Sequence, residues 1–153
     1  MTTKPGHTEA SVVINAPMDL VWDMTNDVAS WPDLFTEYAA AEVLEQDENT
    51  VRFRLTMHPD PQGNTWSWVS ERVVDRQART VVARRIEKGW FEEMDIRWTY
   101  HDVDGGVRMD WVQDFRMRPD SPVSLAQMTQ RISTNSPVQM AAIKEKIEKA
   151  AVG

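Results

Sequence analysis

Apolar positions recur with two different periods along this chain, and the places where the period changes predict its order of elements. Residues 9–14 contain the β-branched run Ser-Val-Val-Ile, which predicts a first strand that ends at Asn15-Ala16-Pro17. Leu20, Val21, Trp22 and Met24 then predict a short helix over 18–25. Residues 27–38 hold a second short helix, with Ser30 as its cap and Pro32 in its first turn. From Val51 the period drops to two: Val51, Phe53, Leu55 and Met57 share one face, while Arg52, Arg54 and Thr56 take the other. The turn-forming run His58-Pro59-Asp60-Pro61-Gln62-Gly63 precedes a long strand over 64–75 and another over 80–87. Met94, Ile96, Trp98 and Tyr100 alternate with polar neighbours, as do Met109, Trp111, Gln113 and Phe115. With Asp104-Gly105-Gly106 between them, these read as a hairpin.

Beyond Pro119-Asp120-Ser121-Pro122 the spacing becomes helical. Leu125, Met128, Ile132, Gln139, Ile143 and Ile147 fall on one stripe of a long terminal helix. Pro137 lies inside that stripe and predicts a kink or restart, with Asn135 or Ser136 capping the second segment. The polar first eight residues, with Pro5 and Gly6, predict a frayed end. The expected architecture is an α+β fold in one domain over residues 1–153: a strand, two short helices, about six further antiparallel strands and a terminal helix. One helix laid on a sheet of that size leaves room on the concave side, which predicts a pocket.

Composition narrows the function. A net charge of −7 disfavours nucleic acid and anionic membrane surfaces as partners, because both need a basic footprint. The chain has no cysteine, and no N-terminal apolar run that reads as a signal or a membrane span, so a cytoplasmic protein is expected. Seven tryptophans stand against two tyrosines and four phenylalanines, an excess that calls for a role. His7, His58 and His101 are scattered without ligand spacing, so no metal is expected. Glycine-rich phosphate loops, dinucleotide fingerprints and nucleophile elbows are also missing, so no cofactor is expected.

Polar residues on apolar faces are the candidates for chemistry. Trp66, Trp68, Ser70 and Arg72 are spaced two apart and share one side of a strand that the two tryptophans mark as buried. An arginine there reaches water at the strand end, pairs with a carboxylate, or meets a ligand. Arg85 shares a face with Val81 and Ala83, and Gln139 sits on the helix stripe. An ion pair and a backbone hydrogen bond, respectively, explain them as well as function does. Tyr38, following Trp31 and Phe35 at near-helical steps, suits either a core position or a site.

Taken together, these residues resemble the single-domain aromatase/cyclases of bacterial type II polyketide pathways. The resemblance runs from about Val12 to Ala150. It is carried by Asn15-Ala16-Pro17, Leu20-Val21-Trp22, Thr25-Asn26-Asp27, Trp31-Pro32, Leu34-Phe35, Glu37-Tyr38-Ala39, Trp66, Trp68-Val69-Ser70, Arg72-Val73 and Trp111-Val112-Gln113. It implies the helix-grip fold, also called START or Bet v 1-like, with a seven-stranded antiparallel sheet wrapped around the terminal helix and a deep pocket between them. It further implies Arg72, Tyr38 and Ser70 as catalytic groups. Trp31, Phe35, Trp66, Trp68, Arg85, Met94, Trp98, Trp111 and Gln139 would contact substrate. Gly89-Trp90-Phe91 departs from the family's usual Gly-Pro-Phe, which puts one rim of the pocket in question, and Pro137 does the same for the aim of Gln139.

The implied reaction is cyclisation of a poly-β-ketone carried on an acyl carrier protein made by a minimal polyketide synthase. The first ring would close between carbons nine and fourteen, followed by dehydration to an aromatic ring. Docking of the acidic carrier would use local cations such as Arg84, Lys88 or Arg97. The alternatives are a non-catalytic carrier of hydrophobic ligands and a structural subunit of the synthase.

Overall fold

The computed structural model describes residues 5–152, and residues 1–4 of the expected frayed end lie outside them. The elements are β1 (Gly6–Ile14), α1 (Met18–Asn26), a 3-10 turn (Val28–Ser30), α2 (Trp31–Leu34), β2 (Tyr38–Gln46), β3 (Thr50–Met57), β4 (Ser67–Asp75), β5 (Thr80–Arg85), β6 (Phe91–Val103), β7 (Gly106–Met117) and α3 (Leu125–Val152). Among the described residues seven strands form one antiparallel sheet in the order β1-β7-β6-β5-β4-β3-β2. The two chain-order neighbours β1 and β2 end at opposite edges, because α1 and α2 carry the chain across the open side. This is the START/Bet v 1-like architecture that the resemblance implies.

The first strand begins earlier than its apolar run. Gly6, His7 and Thr8 pair with Phe115, Asp114 and Gln113 of β7, and His7 is anchored by Asp114 at 2.5 Å and Glu9 at 2.7 Å. These residues are therefore strand rather than frayed end. Backbone pairing to a long neighbour fixes them without any apolar periodicity. At the β6-β7 turn Gly106 has φ 135°, and a Cβ there would lie 2.0 Å from the Ile14 carbonyl oxygen, so only glycine fits.

α3 starts with a reciprocal cap. The Gln127 N–H donates to Ser124 Oγ at 3.1 Å, and the Ser124 N–H donates to Gln127 Oε1 at 2.8 Å. At 28 residues the helix is roughly 40 Å long, enough to cross the sheet. It runs unbroken through Pro137, so the expected restart does not occur, and Asn135 and Ser136 do not act as caps. Pro137 removes one helical hydrogen bond, while Met140, Ile143 and Ile147 bury on the sheet side and keep the second half in register. The helix packs chiefly on β1. Opposite the middle strands its stripe meets large side chains, so that Met140, Ile143 and Ile147 share one cluster with Trp31, Phe53, Trp98 and Trp111.

Candidate active site

The concave side is filled with aromatic rings rather than hollow. Trp98 of β6 and Trp111 of β7 face each other across the strand pair and stack at 4.6 Å, tilted by 14°. Phe35, just beyond α2, lies parallel to Trp111 at 6.0 Å, and Trp31 lies parallel to Trp98 at 5.9 Å. Tyr38 closes the group, 5.0 Å from Phe35 and 6.1 Å from Trp31. The expected deep pocket is therefore occupied by these side chains. Two open concavities lie outside this group. One, of about 270 Å³, is lined by Met18, Asp19, Trp22, Arg76, Gln77 and Arg79; the other, of about 170 Å³, by Glu45, Gln46, Asp47, Thr50, Arg52 and Glu71. The physical reason is that stiff flat indoles on neighbouring strands and on the α2 segment pack on one another at van der Waals distance.

Arg72 is set into this stack, and only 2% of it is exposed. Its guanidinium carbon lies 4.4 Å from the ring centre of Trp98 and 4.9 Å from that of Trp31. One nitrogen donates to Asn26 Oδ1 at 2.7 Å, while Nε is buried with no hydrogen-bond partner among the described residues. Burial pulls its pKa down to about 10. The groups that oppose the fall are the hydroxyls of Tyr100 and Tyr38, with no carboxylate among them. Of the three placements open to the sequence, the strand-end and ion-pair explanations are thus both ruled out. Tyr100 is held by Thr25 Oγ1 at 2.7 Å and, buried beside Arg72, has its pKa raised, chiefly by desolvation.

A second cation flanks the first. Arg85 pairs across the strands with Ser70, which is itself buried. Its guanidinium lies 4.7 Å from the ring of Trp68 and 5.1 Å from that of Phe91. Burial brings its pKa down to about 10, and its Nε also lacks a partner among the described residues, as does Trp111 Nε1. Three buried N–H groups, Arg72 Nε, Arg85 Nε and Trp111 Nε1, thus have no acceptor among the described residues. Such groups are costly unless something accepts from them.

Not every expected site residue joins this group. Trp66 precedes β4, is 41% exposed and packs edge-on against Trp90 at 5.0 Å, so it does not share the buried face of Trp68, Ser70 and Arg72. The Trp66 carbonyl still accepts from the Met57 N–H of β3 at 2.8 Å, but its indole sits at the exposed end of the strand pair against Trp90. Met94 lies in a separate cluster with Phe91, Phe115, Met117, Val123 and Met128. Gln139, 2% exposed, spends its amide on the loop before β2: Oε1 accepts from the Thr36 N–H at 2.9 Å, and Nε2 donates to Thr36 Oγ1 at 2.8 Å and Asn135 Oδ1 at 3.2 Å.

The sequence marked neither Asn26 nor Glu37 as a site residue, and marked Asn135 only as a candidate helix cap. Asn135 donates to Glu37 Oε2 at 2.8 Å, and the Tyr38 hydroxyl faces the same carboxylate. Desolvation raises the pKa of Glu37, and burial with that carboxylate beside it pushes Tyr38 well above its ordinary value. Asn26 ends α1 and Glu37 lies in the loop before β2, where no period marks an inward face, whereas Asn135 lies inside α3 at helical spacing from Ile132 and Gln139, a signal that could have found it. Among the described residues no cluster of His, Cys, Asp or Glu could hold a metal ion, and no helix is long and apolar enough to cross a membrane.

The family model for polyketide cyclases, dehydrases and lipid transport matches residues 14–143. The chain belongs to that family. A Streptomyces cyaneus protein named for polyketide cyclase activity is 59% identical over 143 residues, covering 94% of each chain. In fold, the chain is similar to an aromatase/cyclase from Streptomyces sp. R1128, with a TM-score of 0.82, 24% identity and 95% of each chain covered. It is also similar to a START superfamily protein from Mycobacterium smegmatis, with a TM-score of 0.74, 12% identity, and 95% of this chain and 99% of that one covered. The likeness to these two structures is one of fold.

Proposed function

We propose that this protein is a polyketide aromatase/cyclase, acting on a carrier-bound poly-β-ketone and directing its first aldol closure, between carbons nine and fourteen, and the dehydration that follows. The observation that carries the proposal is Arg72: a guanidinium sealed between indoles, without a carboxylate, and with one N–H unspent. A poly-β-ketone presents a carbonyl at every second carbon, and its enolates and alkoxides are the anions such a site would hold. The 59% identical Streptomyces cyaneus relative supports the same chemistry.

The methylenes between two carbonyls lose a proton readily, so the enzyme's task is to select one ring closure. A stiff aromatic enclosure restricts the chain to one bent conformer, which is an orientation effect. Arginine stays protonated at neutral pH even with its pKa near 10, so Arg72 acts by stabilising oxyanions, not as a base. Ser70 and Tyr38 supply hydrogen bonds and protons at the same wall. Tyr38, with its pKa raised, is a proton donor. Because the rings fill the interior, the substrate enters by displacing them: Trp31 and Phe35, on the short α2 segment, swing away while Trp98 and Trp111 stay on the sheet.

A non-catalytic carrier is the second reading, and the family's lipid-transport members favour it. Adding the protein to a reconstituted minimal synthase and identifying the products by mass spectrometry and NMR separates the two. Cyclase action diverts many equivalents of product from spontaneous rings to one pattern. A carrier protects at most one equivalent per protein.

A further inference from the structure

The proposed cyclisation needs a proton acceptor, and the groups discussed so far do not provide one. Arg72 and Arg85 are cations at working pH, and Tyr38 is held protonated. His58 is exposed and meets the site only through its backbone, where its N–H donates to the Glu37 carbonyl at 3.1 Å. His7 and His101 sit on β1 and β6 in exposed pairs with carboxylates.

Glu37 is half-buried at the entry to β2. Its carboxylate is fixed on one side by Asn135 of α3 at 2.8 Å and faces the Tyr38 hydroxyl on the other. Asn135 is itself fixed by Gln139, whose amide grips Thr36, so three side chains aim one carboxylate at one phenol. The Tyr38 ring lies within the aromatic stack, and both guanidiniums act on its hydroxyl. Acceptor, relay and cationic pole therefore follow one another from the loop into the interior.

We propose that Glu37 is the general base of the reaction, taking the substrate proton through the Tyr38 hydroxyl. As a C–H proton moves to the Tyr38 oxygen, the Tyr38 proton moves to the Glu37 carboxylate, and the enolate oxygen forms against Arg72. The enolate carbon attacks the ketone carbon. The new alkoxide then takes its proton back from Tyr38, and Glu37 reprotonates Tyr38, restoring the carboxylate. In dehydration a second C–H proton follows the same route, and the hydroxyl leaves with that proton as water. No redox partner is needed.

This inference rests on the cyclase reading, and the test distinguishes the two. The readout is the ratio of directed to spontaneous products from a minimal synthase, which cancels the synthase's own pH response. Among the described residues, Tyr38 is the titratable group whose side chain faces Glu37. Its α3 neighbour Asn135 is neutral, and Arg72 and Arg85, from β4 and β5, act on Tyr38. Because burial raises the Glu37 pKa, the ratio should fall on acidification at a pH above the ordinary glutamate range. Glu37→Gln, which keeps an acceptor for Asn135, should lower the ratio at least tenfold and abolish this limb. Asn135→Ala removes a bond that stabilises the carboxylate, so its limb should move to higher pH. If wild-type protein leaves the products unchanged, the cyclase reading fails and Glu37 falls with it. If wild type directs the products but the Gln variant matches it, or if the limb is unmoved in the Ala variant, Glu37 is not the base.

Discussion

Replacing Arg72 by Met tests whether this side chain serves the fold or the reaction. Its fall in pKa from the ordinary arginine value to about 10 corresponds to about 3 kcal/mol of unfavourable burial, at about 1.4 kcal/mol per tenfold change in proton affinity. The sign follows from linkage. A cation whose pKa is lowered by folding destabilises the native state fully below pH 10, and the penalty is relieved only as pH rises through that value. Met removes this penalty but loses contact with two indoles, about 2 kcal/mol in a desolvated setting, and the Asn26 hydrogen bond, about 1.5 kcal/mol. These terms nearly cancel. The variant should therefore melt within about 4 °C of wild type, since 1 kcal/mol moves the midpoint by about 2–4 °C at this size. Its product selection should meanwhile collapse. Calorimetry and product analysis on the same preparation decide the matter. A loss of about 10 °C or more would mean that Arg72 is a structural residue, and unchanged products would remove it from the mechanism.

Three further expectations follow from the geometry. Gly106→Ala should lower stability by about 2 kcal/mol or more in denaturant titrations, because the new Cβ meets the Ile14 carbonyl at a φ that L residues avoid. Ser124→Ala should cost about 1 kcal/mol by breaking the cap of α3, and should leave product selection intact. Trp66→Ala, on the exposed side against Trp90, should change stability by less than about 1 kcal/mol and alter products less than Trp98→Phe does in the stack.

The sheet could be read where one face is buried and the other wet. β3, β6 and β7 alternate cleanly, and Arg72 could be placed on an inward face before any coordinates. β2 was hidden because it is an edge strand, exposed along nearly its whole length and interrupted by two register shifts, so no alternation marks residues 39–46. Its existence is dictated by pairing with β3, a non-local cause. Trp66 was placed wrongly for the opposite reason: a local period was extended to the end of the β3-β4 pairing, where the side chain is exposed rather than covered. The filled interior was not legible either. Whether large rings line a cavity or close on one another depends on contacts between α2, β6 and β7, far apart in sequence. The polar clasp of Thr36, Glu37, Asn135 and Gln139 likewise joins a loop to a helix about 100 residues away.

The central claim is that a buried, uncompensated guanidinium inside a closed aromatic stack receives a chain of carbonyls by displacing that stack. Titrating a non-cyclising poly-β-ketone mimic while following tryptophan emission tests it most directly. The account predicts saturable binding with a marked change in emission as Trp31 leaves Trp98, and at least tenfold weaker binding to Arg72→Met. Equal affinity for the two proteins, or binding with no spectral change, would contradict it.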